Sequence, residues 1–379
     1  MSARIGVGKA RAGASAKSVV LGLPLALSAI CVVPTSASAS GDDAVKAANN
    51  ATQAAVASAV EMARDRARVL ALGARPAGRP AIGFSGDPYA QVYDPFEALG
   101  YAKSGMVTKA PPRAAPPASS YFVSAWGQGS VDREERNITF LGVTTDTRST
   151  SLTGIGGIDV VKIGIFGASD ALVVGGLGSY TSTHSDATGG VNTRARTPGG
   201  AFYVAYINGG FSTDFSFSAN FTSADTLTAG VVVVANQSTD SYTSTGNVQY
   251  RFDMSPNWWW EPTVGASYTS IHVDIPGFVD GHSLRLQGGA RVGTDLMYGT
   301  VKVTPTLQGL AFGDVNVETP RLAGTTFVGA TDEGFLWGKG IGKVNVQWTD
   351  KFSTSVEGEV RGRADVIGYA ARAMARLTF

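Results

Sequence analysis

The chain has 379 residues, 44% of them hydrophobic and 16% charged, with 48 glycines, one cysteine and a formal charge of +1. This balance excludes a disordered chain, a disulfide scaffold and a polycation that binds nucleic acid. Glycine well above the usual ~7%, with a mean hydropathy near zero, suits a large β architecture better than a helical enzyme.

The N-terminus carries Arg4, Lys9, Arg11 and Lys17 ahead of an apolar run over 18–33, followed by Thr35-Ser36-Ala37-Ser38-Ala39. Basic, apolar and small-residue regions in that order describe a secretory leader for the Sec translocon, with cleavage after Ala39. Ile30 precedes Cys31 where a lipid-attachment site needs a small residue, so Cys31 belongs to the leader and the mature chain has no cysteine. Removing 1–39 takes four basic and no acidic residues, leaving a formal charge of −3, so nothing points to nucleic acid. Beyond residue 39 no apolar run reaches the ~18 to 20 residues of a spanning helix. A membrane role must therefore use a closed barrel.

Residues 42–72 form the only long helical pattern, with 11 alanines among the 30 positions of 43–72. Asp42 and Asp43 at its start and Arg64, Arg66 and Arg68 near its end suit the helix dipole, and Gly73 and Pro76 stop it. A shorter helix is expected over 95–103. Ala110-Pro111-Pro112-Arg113-Ala114-Ala115-Pro116-Pro117 reads as an extended linker. The division is thus a leader (1–39), a short helical passenger or plug segment (40–103), a Pro-rich linker (104–118) and a β domain (119–379).

From Tyr121 onward the pattern has period 2. In the last strand Ile367, Tyr369, Ala371, Ala373, Ala375, Leu377 and Phe379 share one parity, and Arg372, Arg376 and Thr378 the other. Strands are expected near 121–132, 150–166, 171–182, 200–208, 211–223, 244–254, 258–269, 283–296, 300–312, 334–348, 352–363 and 366–379. Long connections (133–149, 183–199, 224–243, 270–282 and 313–333) alternate with short ones, apart from the last hairpin, and two stretches within them, 137–145 and 230–235, suit either extended strands or an extra hairpin beyond the membrane. The expected fold is all-β: a 12-stranded antiparallel outer-membrane β-barrel behind a helical and Pro-rich segment, with short periplasmic turns and longer external loops. Trp258-Trp259-Trp260, Tyr298, Trp348, Phe352 and Phe379 cluster at the short turns, as an aromatic girdle against outer-membrane lipid requires.

Parity also selects the lumen. Trp126, Asp132, Arg251, Glu261, Arg285, Arg291 and Lys339 point inward, as do Lys343, Glu357, Glu359, Arg361, Arg372 and Arg376. Opposite charges on adjacent strands either brace a narrow wet interior or line a path for a polypeptide or small solutes. His272, Asp274, Asp280 and His282 share one loop and read as solvated polar residues rather than a metal site. No Gly-x-Ser-x-Gly elbow and no His-Glu-x-x-His occurs, so no catalytic residues, cofactor or metal is expected.

Several stretches resemble the β-barrel translocator domain of autotransporters, the type V secretion proteins of Gram-negative bacteria. They are Ala125-Trp126-Gly127-Gln128-Gly129 with Asp132-Arg133, Gly246-Asn247-Val248-Gln249-Tyr250-Arg251-Phe252, Glu261-Pro262-Thr263-Val264-Gly265-Ala266-Ser267-Tyr268, Leu286-Gln287-Gly288-Gly289-Ala290-Arg291-Val292-Gly293, and a closing Arg-x-x-x-Arg-x-x-Phe. The resemblance implies twelve strands in the outer membrane and a segment through the lumen that leads to a secreted passenger. It also implies that the barrel assembly machinery reads the last strand through Tyr369, Leu377 and Phe379. Asn49-Asn50 resembles the bond at which some autotransporters cut their own linker, but lies far upstream of the first strand.

The expected function is to anchor or translocate 40–103 across the outer membrane, with the linker in the lumen. At roughly 3.1 Å per residue, 104–119 span about 50 Å, more than a ~30 Å hydrocarbon core. The alternatives are a porin-like barrel with the N-terminal region as plug, and an adhesin acting through its external loops. The sequence names no surface ligand.

Overall fold

The computed structural model describes residues 24–73 and 120–379, apart from 141–142, 168–169, 229–230, 256, 275–277, 319, 323–335 and 364; helix side chains are described from residue 43. The expected short helix over 95–103, the linker over 104–118 and the basic start of the leader lie outside the described residues.

Among the described residues twelve long strands form one closed antiparallel sheet. They are β1 (Ser120–Phe140), β2 (Val143–Ile163), β3 (Asp170–Ala187), β4 (Val191–Asn208), β5 (Phe211–Thr228) and β6 (Val231–Tyr250), then β7 (Trp258–Val273), β8 (Gly281–Thr294), β9 (Val301–Glu318), β10 (Leu336–Gln347), β11 (Phe352–Arg363) and β12 (Val366–Thr378). Each strand pairs with its neighbours in sequence, and β12 returns to β1, from Ser124 opposite Thr378 to Arg136 opposite Val366. Closure leaves no edge whose backbone groups would go unpaired in lipid. The tight turns use glycines in the left-handed region, as at Gly209 (φ 61°) and Gly299 (φ 63°).

Strand number and the short-turn ends agree with the sequence pattern, but the external ends do not. The expected loops 133–149, 183–199 and 224–243 are for the most part strand, and β1 and β2 reach 21 residues each. Side-chain hydroxyls carry these extensions: Ser151 meets Thr183 at 2.7 Å, Thr193 meets Thr226 at 3.1 Å and Thr197 meets Thr222 at 3.0 Å. Serine, threonine and charged residues fill most of both faces there, so apolar alternation fades while backbone pairing continues. The apolar outward stretches are 121–131 on β1, 152–160 on β2, 172–180 on β3 and 198–206 on β4. These are the lengths a tilted strand needs to cross a bilayer, about 9 to 11 residues.

The helix α1 (Pro24–Gly73) begins upstream of the expected start and runs through the lumen. Ala51, Ala55, Ala59, Ala63, Ala67 and Ala71 recur every four residues and make one slim face. That face packs against inward Val161, Ile163, Ala171, Val173, Tyr203, Ala205 and Ile207 of β2–β4. The end near Asp43 meets Arg136 at the outer part of β1, and the other end reaches the last short turn, where Arg66 donates to the Asp350 carbonyl. Ser120 pairs with Ile163 beside another short turn, so α1 ends and β1 begins at the same mouth. α1 thus occupies the lumen where the linker over 104–118 was expected, and that linker itself lies outside the described residues.

Candidate functional site

The lumen has two unlike walls. β2–β4 offer the apolar side described above, and the side facing β7–β12 is charged. Arg291 on β8 is the junction between helix and barrel: its guanidinium donates to Glu61 at 2.7 Å, to Asp65 at 2.8 and 2.9 Å and to Glu261 at 2.9 Å. Glu261 on β7 also accepts from Arg64 at 3.0 Å and Arg68 at 2.7 Å, and Arg64 reaches Asp214 on β5 at 3.2 Å. Lys343 on β10 pairs with Glu61 at 3.1 Å, and Ser58 donates to Glu357 at 2.9 Å. Three helical turns are thus tied to five strands by charge-assisted bonds sheltered from water, where such bonds are strongest.

The remaining lumen candidates form straps within the wall. Arg372 bonds to Glu357 at 2.6 Å and Glu359 at 2.9 Å, while Arg361 bonds to Asp132 at 2.7 Å, Glu134 at 2.9 Å and Glu359 at 3.1 Å. Arg376 meets Asp159 at 2.7 Å beside Trp126, across β1. Arg251 sits at the short-turn mouth with Asp253 at 2.8 Å and Asp295 at 3.3 Å. Arg285, toward the other mouth, bonds to Asp314 at 2.7 Å and lies over Phe312. Lys339 borders a lumen cavity of about 110 Å³ between helix and wall, together with Gln53, Asn247 and Gln287.

Sequence reasoning had no parity with which to place Glu61, Arg64 and Asp65, because helix residues have no inside or outside until a wall surrounds them. Inward Asp159, Asp214 and Glu134 were also missed, although each sits on the inward parity of its strand. Trp259 is a correction: it faces inward, stacked between Arg251 and Arg291 at 4.4 and 4.9 Å, while Trp258 and Trp260 face outward. Tyr369, Leu377 and Phe379 are exposed on the outward face, and the Phe379 amide donates to Val123 of β1 at 2.8 Å. His272 meets Asp280 at 2.7 Å and His282 lies 3.9 Å from Glu318; among the described residues no group of three or more metal-ligating side chains converges.

A closed twelve-stranded sheet, apolar outside and charged inside, is a transmembrane β-barrel of the outer-membrane class. The autotransporter β-domain family model matches residues 125–359, and the chain belongs to that family. The crystal structure of the β domain of the Bordetella autotransporter BrkA has the same fold, with a TM-score of 0.53 at 15% identity, covering 68% of this chain and 99% of that one. The transport unit of the autotransporter AIDA-I from Escherichia coli gives 0.52 at 14% identity, covering 68% and 90%. No curated protein matches the sequence. The family is one of bacterial outer-membrane barrels with a structural and transport role.

Proposed function

We propose that this autotransporter barrel is closed by its own N-terminal helix and holds the start of that helix at the external face of a Gram-negative outer membrane. The direction of α1 carries the reading, with Asp43 at the mouth of the long strands and Arg66 at the mouth of the short turns. With the leader delivered to Sec and removed after Ala39, three residues precede Asp43. The helix is then the anchor, and the few residues ahead of Asp43 are what reaches the surface. The charged wall positions the helix rather than conducting solutes. Assembly begins with recognition of Tyr369, Leu377 and Phe379 by the barrel assembly machinery.

The test is topological. In a Cys31→Ser background, Ser40→Cys should react with a membrane-impermeant thiol reagent on intact cells. Arg75→Cys, just beyond the helix, should stay protected until the outer membrane is opened. The reverse pattern would place the helix start in the periplasm and defeat the reading.

A further inference from the structure

Beyond the apolar band the outward face of the long strands becomes polar. On β4 the band ends at Pro198, which is paired with Tyr180 of β3; the pairing of Gly199 with Asn220 sets Phe221 of β5 at the same level. Aromatic rings at that level mark the lipid–water interface. One step further out come Arg196 and Arg194, two residues apart on one strand and therefore on the same face. Both are exposed, and neither makes an ion pair with another described residue. Their basic neighbours differ: Arg133 and Arg148 share Glu135 at 2.9 and 3.2 Å, and His184 lies 3.3 Å from Asp186. Ser182 and Ser223 flank Arg196, while His184 and Asp225 flank Arg194, with Asp225 accepting from the Asn236 amide at 2.9 Å.

We propose that Arg194 and Arg196, with the hydroxyls of Ser182 and Ser223, bind the phosphate of a phosphorylated glycolipid in the outer leaflet. Two guanidinium forks without internal carboxylate partners match the planar, bidentate geometry that phosphate favours. The site opens sideways, directly above Tyr180, Phe202 and Phe221, all of which face outward into the lipid. A lipid can therefore seat its phosphate on the arginines while its acyl chains cover those rings, which a free phosphate cannot do. The inference rests on the membrane placement of the barrel and not on the helix in its lumen.

Full-length protein in neutral-detergent micelles is titrated with lipid A, a diphosphorylated glycolipid, with the same glycolipid after dephosphorylation, and with inorganic phosphate; bound lipid is counted by native mass spectrometry. The expected result is retention of lipid A about tenfold or more above the dephosphorylated form, as loss of charge-assisted hydrogen bonds implies. Inorganic phosphate at equal concentration should not compete. R194Q/R196Q should bind lipid A no better than the dephosphorylated lipid, and R194K/R196K should recover part of the difference. R133Q/R148Q, whose charges already have a partner, should bind as the unaltered protein does. Full binding by R194Q/R196Q, equal loss in R133Q/R148Q, competition by inorganic phosphate, or indifference to dephosphorylation would each overturn the proposal. Unchanged β-sheet circular dichroism and heat-induced mobility shift confirm that each variant is folded.

Discussion

Arg376 and Asp159 are both fully buried, 2.7 Å apart, with β1 between their strands, and Tyr203 reaches from β4 to donate its hydroxyl to the same carboxylate at 2.8 Å. Removing one charge leaves the other without compensation in a site closed to water, which typically costs about 3 kcal/mol or more. Asp159→Asn should therefore lower the unfolding free energy, read from denaturant curves in micelles, by an amount near that figure, with a corresponding fall in the midpoint. An unshifted midpoint would mean that water screens the pair. Glycines on the same wall have a matching cause. A Cβ at Gly175 would come within 2.3 Å of the Tyr203 ring, and one at Gly157 within 2.5 Å of Trp126. Gly175→Ala should displace Tyr203 from Asp159, costing about 1 to 3 kcal/mol as overpacking does, measured by the same unfolding curve.

At the scale of elements, α1 is held by two different mechanisms on its two sides. The alanine face fits the apolar wall because small side chains let the helix axis approach the strands. The opposite side is fixed by Arg291 and Lys343 acting on Glu61 and Asp65. Arg291→Ala should speed hydrogen exchange across residues 57–68 by well over tenfold while β1 and β12 stay protected, since local opening then needs fewer buried bonds broken. Equal exchange in both proteins would assign the helix's stability to its alanine face alone. The apolar inner wall had a legible sign in β2 and β3. Ile155, Val161 and Ile163 lie on one parity of β2 and Ile158 and Val160 on the other, a mark of strands covered on both faces.

For the molecule as a whole, closure depends on β12 meeting β1, and the straps from Arg361 to Asp132 and from Arg376 to Asp159 each bridge an intervening strand at that seam. The barrel does not need the helix to close its hydrogen-bond ladder, so deletion of residues 40–73 should leave a folded barrel with an unfilled lumen. Planar-bilayer recordings should then show steady conductance several-fold above that of the intact chain. Matching conductance in the two would show that α1 does not block the path.

The twelve strands, their short turns, the lipid-facing parity and the charged interior can all be read from alternate residues, because a strand with two solvents writes its two faces into them. Trp126, Glu261 and Arg372 could be assigned inward on that ground alone. The outer extensions of β1–β6 were legible only at 137–145 and 230–235, where apolar residues allow longer strands; elsewhere serine and threonine on both faces erase the alternation while the backbone ladder runs on. Which segment fills the lumen is settled by long-range packing. Seen alone, an alanine-rich helix with mixed charges suits a surface passenger as well as a plug. What separates them is whether Glu61 and Asp65 find Arg291 and whether the alanine face finds Val161 and Val173, and those partners lie more than ninety residues away in sequence. They meet only because the sheet closes around the helix.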